Sequence, residues 1–132
     1  MKCLAAWSLF AFASLSSATA MALPPLPDLL KETFKDEKAF LEKFNELKGK
    51  CDVCHKPGAD KKAKDHGLND YGEALHQSIN FKEFKAAMTA KDKEAMLKLF
   101  KEGAEKAAKE KNADGKTYGE LIKAGALPGK NS

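Results

Sequence analysis

Two cysteines and a histidine stand together in the stretch CDVCH, where Cys51, Cys54 and His55 form a C-x-x-C-H pattern. Thiol and imidazole groups at this spacing serve zinc binding, thiol–disulfide exchange or covalent attachment of haem. A zinc site needs four ligands, and His66 and His76 are available to complete the set. The sequence separation of these two histidines is longer than the H-x3-5-H spacing usual in zinc sites, and His55 would have no role.

A thiol–disulfide exchange centre places its C-x-x-C pair at the N-terminus of a helix beside a β-strand. Here the motif follows a predicted helix, precedes a predicted loop, and has no strand pattern near it. Attachment of haem uses all three residues, because each thiol forms a thioether with one vinyl group and His55 binds the iron from one side. The pattern therefore favours a covalently bound haem.

The N-terminus predicts export from the cytoplasm. Lys2 precedes the apolar run CLAAWSLFAFASL, and the small residues of SSATAMA follow it. They offer an A-x-A cleavage site ending at Ala20 and another ending at Ala22, so residues 1–20 are a predicted signal peptide, with cleavage possible after residue 22. The apolar run is shorter than the about 20 residues that a membrane span needs. We expect a periplasmic or otherwise exported protein with no stable membrane span after cleavage.

The charged residues limit the kind of partner. The chain has 23 basic residues, all of them lysine, 19 acidic residues and a formal net charge of +4. Arginine supplies the planar fork that fixes phosphate and base contacts, so its absence argues against sequence-specific nucleic-acid binding. Lysine-rich surfaces favour brief, salt-dependent encounters with acidic protein surfaces. The candidates for such a docking face follow the motif: Lys56, Lys61, Lys62 and Lys64.

The segments before the motif predict a linker and then a helix. The proline-rich stretch ALPPLPD predicts an extended linker at residues 21–35, which precedes a domain at residues 36–132. Apolar residues at helical spacing predict a helix from Asp36 to Lys48 that Gly49 ends. The mature chain of roughly 110 residues is enough for one small domain.

The segments after the motif also predict helices. In DYGEALHQSI, apolar residues share one face of a short helix, and a longer helix follows with Thr89 as its expected cap. Thr117 and Glu120 form a capping box that opens a last short helix, which Gly125 ends. Because no stretch has a strand pattern, we expect an all-α fold.

With this arrangement the sequence resembles the monohaem c-type cytochromes, and within them the class I architecture. The resemblance rests on a helix with Phe40 and Phe44, the CDVCH motif, the KPG loop and the later helices. NDYGEAL and TYGELIKAGALPG also resemble a group of small exported bacterial cytochromes. The resemblance implies a helical domain wrapped around one haem c, with Cys51 and Cys54 as attachment points and His55 as the proximal iron ligand.

The sequence does not identify the second axial ligand. Class I proteins bring a methionine from a loop well after the motif, and this chain has none there. His66 in the loop is the first candidate, followed by Met88 and Met96, and a vacant position is a further alternative. Packing in the core is the other interpretation of both methionines. His76, on the short helix, is compatible with a solvent-facing position.

These observations predict an exported one-electron carrier between redox partner proteins that have acidic docking surfaces. We expect a dry pocket formed by Phe40, Phe44, Tyr71 and Leu75 together with the apolar face of the longer helix, which contains Met96, Leu99, Phe100 and Ala107. An open or labile sixth iron position would instead predict a protein that binds or senses carbon monoxide or nitric oxide. An enzyme such as a haem peroxidase is disfavoured, because no acid–base pair accompanies the motif.

Overall fold

The computed structural model describes residues 26–59 and 67–129. Within these residues the fold is all-α, as predicted, with six α-helices and no β-strand. None of the helices described there is both long enough and apolar enough to cross a membrane. The predicted signal peptide, residues 21–25 of the predicted linker, and four candidate residues lie outside the described part: Lys61, Lys62, Lys64 and His66.

One central helix organises the packing. The helices are α1 (Leu26–Thr33), α2 (Lys38–Glu46), α3 (Asp70–Ser78), α4 (Phe81–Thr89), α5 (Lys93–Ala107) and α6 (Tyr118–Lys123). Helix α5 packs against α1, α3 and α4, and α6 packs against α2 and α5. A 3-10 turn, Lys50–Val53, lies between α2 and α3 and contains the first motif cysteine.

Helix α1 occupies part of the segment for which the sequence predicted an extended linker. Pro27 lies in its first turn, where the missing N–H does no harm because those N–H groups have no acceptor within the helix. Leu30 is buried in the core, and α1 packs against α5. The segment Leu26–Thr33 is therefore helical and packed against α5, rather than part of an extended linker.

The end of α2 is fixed by a lysine that belongs to the next turn. The helix ends at Glu46, slightly earlier than predicted. Lys50 Nζ donates hydrogen bonds to the carbonyl oxygens of Phe44 and Leu47, each at 2.9 Å, and also to that of Asn45. The last carbonyls of a helix lack their full set of intrahelical donors, and the Lys50 ammonium supplies donors there, where the chain leaves the helix and enters the motif.

The start of α5 differs from the prediction. Asp92, rather than Thr89, is its N-cap, and the Asp92 carboxylate accepts a hydrogen bond from the backbone N–H of Ala95 at 3.0 Å. Thr89 is instead the last residue of α4, and Lys91 makes the turn with a positive φ of 58°. Both residues are capping types, and the choice between them depends on how far α4 extends.

The predicted ends of the last helix are confirmed. The Thr117 hydroxyl accepts from the backbone N–H of Glu120, while the Glu120 carboxylate accepts from the backbone N–H of Thr117 at 2.8 Å. Gly125 follows the helix with φ +73°, and its N–H donates to the carbonyl of Ile122. These signals are local in sequence, which explains why they could be recognised without the fold.

Candidate functional site

The cysteine–histidine motif forms one tight turn. The backbone N–H groups of Cys54 and His55 both donate to the carbonyl oxygen of Cys51, at 3.1 and 2.9 Å. Both thiols are free, with Cys51 exposed and Cys54 partly buried. The turn therefore holds the three predicted site residues within a single short segment of backbone.

Backbone hydrogen bonds tie this turn to the segment that leads into α3. Asn69 N–H donates to the carbonyl oxygen of Cys54 at 2.9 Å, and Lys56 N–H donates to that of Gly67 at 2.8 Å. Gly72, in the first turn of α3, lies so close to the motif that an added Cβ would overlap the carbonyl group of Cys54. The position of α3 is therefore defined by direct backbone contact with the motif.

The motif lines a cavity of about 700 Å³ between the helices. This volume falls within the range of about 300–1,000 Å³ usual for small-molecule and cofactor sites. Its walls are mostly apolar and come from α1, α2, α3, α4 and α5. The lining residues outside the motif include Leu26, Leu30, Phe44, Leu68, Leu75, Ile79, Phe81, Phe84 and Phe100.

Of the four pocket residues named outside the longer helix, two lie where the sequence predicted them. Phe44 and Leu75 line the cavity. Phe40 and Tyr71 are fully buried in the core but are not among the lining residues. Phe34 packs edge-on against Phe40 with 5.5 Å between ring centroids. A helical pattern reveals which side chains are buried but not which of them border a cavity.

Burial changes the chemistry of the groups around the motif. It raises the pKa of the Cys54 thiol to about 12, with a smaller contribution from Cys51. Burial also raises the pKa of Tyr71, and the nearby Cys54 raises it further. Among the described residues, the Tyr71 hydroxyl is the one buried side-chain polar atom without a hydrogen-bond partner. At neutral pH, Cys54 is therefore a thiol in an apolar setting rather than a thiolate.

These features do not match a thiol–disulfide exchange centre. Reactive thiols of that kind have a lowered pKa at the N-terminus of an α-helix. Cys51 instead lies in a four-residue 3-10 turn. Apolar walls beside two thiols and an imidazole do fit haem, whose flat ring is largely apolar and whose vinyl groups react with thiols.

The structure separates the candidates for the second axial ligand. Met96 is 3 % exposed and packs in the core, and Met88 is partly buried against that core. Neither methionine lines the cavity, whereas His76 of α3 does. His76 was not a leading candidate from sequence, although its spacing of four residues from Gly72 places both on one face of α3.

In residues 26–59 and 67–129, no group of three or more His, Cys, Asp or Glu side chains could hold a metal ion. Haem does not need such a group, because the porphyrin itself supplies four of the six iron ligands. Lys50 and Lys85 add positive charge at the cavity wall, and Lys56 is exposed directly after the motif. No protein-family model, curated protein or solved structure matches this chain.

Proposed function

We propose that this protein is an exported monohaem c-type cytochrome that carries one electron at a time between redox partners. One observation supports the proposal above all. Cys51, Cys54 and His55 lie on a single turn that lines an apolar cavity of about 700 Å³. The order of the three residues is the order that covalent haem attachment requires.

In this proposal the two cysteines hold the haem. Each thiol would add across one vinyl double bond, with the sulfur going to one carbon and the hydrogen to the other, so attachment would consume no oxidant. Cys51 is exposed and Cys54 is partly buried, so the two thiols differ in their access to solvent. His55 would bind the iron, and a haem held there supplies a centre that gains and loses one electron.

The remaining residues exclude water and keep the motif in place. Phe44, Leu75 and Phe100 line the cavity with apolar groups, which lowers the local dielectric constant. The contact between Gly72 and Cys54 fixes the motif turn against α3. A site that moves little when its charge changes suits electron transfer, because little reorganisation accompanies each step.

The setting and the partners are part of the same proposal. The predicted signal peptide would take the chain to the periplasm or another exported compartment, where covalent haem attachment takes place. Lys56 is exposed next to the motif, and further lysines follow it in the sequence. Such a face would favour brief contacts with acidic redox proteins, which charge accelerates.

The test is production of the full chain in a host that matures c-type cytochromes. The alkaline pyridine spectrum distinguishes thioether-bound haem from non-covalent haem, and the intact mass gives the number of haems and the cleavage site. We expect one covalent haem in the wild type and loss of double attachment in Cys51→Ala and Cys54→Ala. Lys56→Ala, an exposed neighbour of the motif, is the matched control. Wild-type protein without covalent haem would overturn the proposal.

The visible spectrum of the dithionite-reduced protein, with and without carbon monoxide, then separates carriage of electrons from binding of gases. A sharp low-spin spectrum that the gas leaves unchanged indicates two firmly held axial ligands and supports the electron carrier. A spectrum that shifts on addition of the gas indicates an open or labile position, and would replace the carrier by a gas-binding or sensing protein.

A further inference from the structure

The cavity wall contains few side chains that could bind iron from the side opposite His55. Apart from the motif, the described lining residues with a nitrogen or sulfur atom in the side chain are Lys50, His76 and Lys85. An ammonium group has no lone pair to donate to a metal, whereas a neutral imidazole does. The Lys50 ammonium also donates to the carbonyls that end α2. His76 is therefore the residue of this set suited to bind a metal.

His76 lies one helical turn along α3 from the point where this helix contacts the motif. Gly72 is in direct backbone contact with Cys54, and His76 lies one helical turn further along the same helix. Four residues of α-helix span about 6 Å along the axis. His76 therefore borders the same cavity as His55 but at a different position along its wall.

An aromatic neighbour holds the imidazole at this place. The rings of His76 and Phe81 lie with 4.4 Å between their centroids and an angle of 32° between their planes. Phe81 also lines the cavity and packs edge-on against Phe84. Aromatic pairs at this distance are favourable and limit the orientations of both rings. His76 itself is exposed, so its imidazole lies at the mouth of the cavity rather than in its interior.

From this geometry we infer that His76 is the second axial ligand of the haem iron. The inference rests on the proposed haem attachment and adds the identity of the sixth ligand. It gives the iron two imidazole ligands, which lower the reduction potential relative to a histidine–methionine pair. With both positions filled, the iron transfers electrons and does not take up small gases.

The test uses the haem-loaded full chain and its ferric magnetic-resonance and near-infrared magnetic circular dichroism spectra. In the wild type we expect the low-spin signature of two imidazoles, without the weak far-red band of methionine–iron ligation. In His76→Ala we expect a high-spin ferric iron, carbon monoxide binding by the reduced protein, and return of the low-spin signal on addition of imidazole. His76→Met should remain low-spin, with a raised potential. Gln77→Ala, an exposed neighbour on α3, is the control and should match the wild type.

The outcomes that contradict the inference differ from those that contradict haem attachment. A wild-type spectrum of histidine–methionine ligation or of a five-coordinate iron overturns it, even if no variant can be purified. So does an unchanged low-spin spectrum in His76→Ala, and conversion to high-spin iron in His66→Ala would assign the position to His66. The pyridine spectrum is recorded on every sample, so absence of covalent haem is recognised as failure of the proposed function instead.

Discussion

The side-chain amide of Asn69 donates a hydrogen bond from Nδ2 to the backbone carbonyl oxygen of Val53 at 2.9 Å. Its Oδ1 accepts from the backbone N–H of Gly72 at 2.8 Å, so the same side chain is the N-cap of α3. Asn69 is 1 % exposed and is the one buried polar residue of the described core. A single side chain thus joins the motif turn to the helix that carries His76.

Replacement of Asn69 by alanine should destabilise the protein and loosen the motif. The substitution removes a helix cap and leaves the buried Val53 carbonyl without its amide donor, and such losses amount to about 1–3 kcal/mol. Asn80→Ala is the matched control, because Asn80 caps α4 with a longer bond of 3.4 Å at an exposed position. Urea unfolding of both variants measures the difference, and equal losses would show that Asn69 is no more than a cap.

Gly72→Ala tests the close approach of α3 to the motif. Alanine is favoured over glycine in a helix by about 1 kcal/mol, so a helix effect alone would stabilise the variant. The added Cβ would overlap the Cys54 carbonyl, however, and crowding of this kind destabilises by about 1–3 kcal/mol. We expect lower stability and a smaller fraction of chains with doubly attached haem.

The control for this substitution is Gly119→Ala in α6, whose added Cβ would lie 3.0 Å from the carbonyl oxygen of Ala108. This contact is tight but does not involve the motif, so stability should change less and haem attachment should not change. Unfolding curves and the haem-to-protein ratio are measured on both variants. A Gly72→Ala protein as stable as the wild type would show that α3 can move away from Cys54 freely.

The parts of the fold that follow from local sequence were predictable. The box of Thr117 and Glu120 and the stop at Gly125 each depend on residues within one turn, so the sequence alone locates them. The sequence does not reveal helix α1, because the prolines suggest an extended chain and the stability of the helix depends on burial of Leu30 and packing against α5. That contact joins segments far apart in the sequence.

In the candidate site too, some residues can be recognised from local sequence and others only from the fold. Cys51, Cys54 and His55 are identified by adjacent spacing, which needs no knowledge of the fold. The place of His76 on the cavity wall depends on the distance between α3 and the motif, which the contact of Gly72 with Cys54 determines. A helical pattern predicts that His76 is next to Leu75 on α3, but it does not predict that His76 borders the cavity.

Removal of the Tyr71 hydroxyl should not reduce the stability of the protein. The ring is fully buried and packs edge-on against Tyr118 with 5.4 Å between centroids. A buried polar group without a partner is unfavourable by about 1–3 kcal/mol, so Tyr71→Phe should leave the stability of the haem-free protein unchanged or raise it. Tyr118→Phe should lower it, because burial and the nearby Asp70 carboxylate raise the pKa of the Tyr118 hydroxyl, which places this hydroxyl beside an acceptor that Tyr71 lacks. Equal losses in thermal unfolding would contradict this assignment.

The capping box of α6 predicts a dependence of stability on pH. Hydrogen bonds from the backbone N–H and the hydroxyl of Thr117 lower the pKa of Glu120 below its ordinary value of 4.5. A carboxylate whose pKa is lower in the folded state stabilises the protein above the unfolded-state pKa, and this contribution is lost as the pH falls through the folded-state pKa. Glu120→Gln should therefore lower the melting temperature at neutral pH, with a difference that shrinks in acid. Glu105→Gln, an exposed substitution on α5, is the control.

The lysines beside the motif predict salt-dependent electron transfer. Lys56 is exposed directly after His55, and Lys61 and Lys62 follow in the sequence, outside the described residues. Lys56→Glu, and the double substitution Lys61→Glu with Lys62→Glu, should slow reduction of an acidic blue-copper protein several-fold at low salt, because charge steers the encounter. The difference should fade above ~0.1 M salt, where the screening length is about 10 Å.

Lys109→Glu makes the same charge change as Lys56→Glu at an exposed position that does not line the cavity. An equal effect of these two single substitutions in stopped-flow measurements would assign the steering to net charge and remove the docking face.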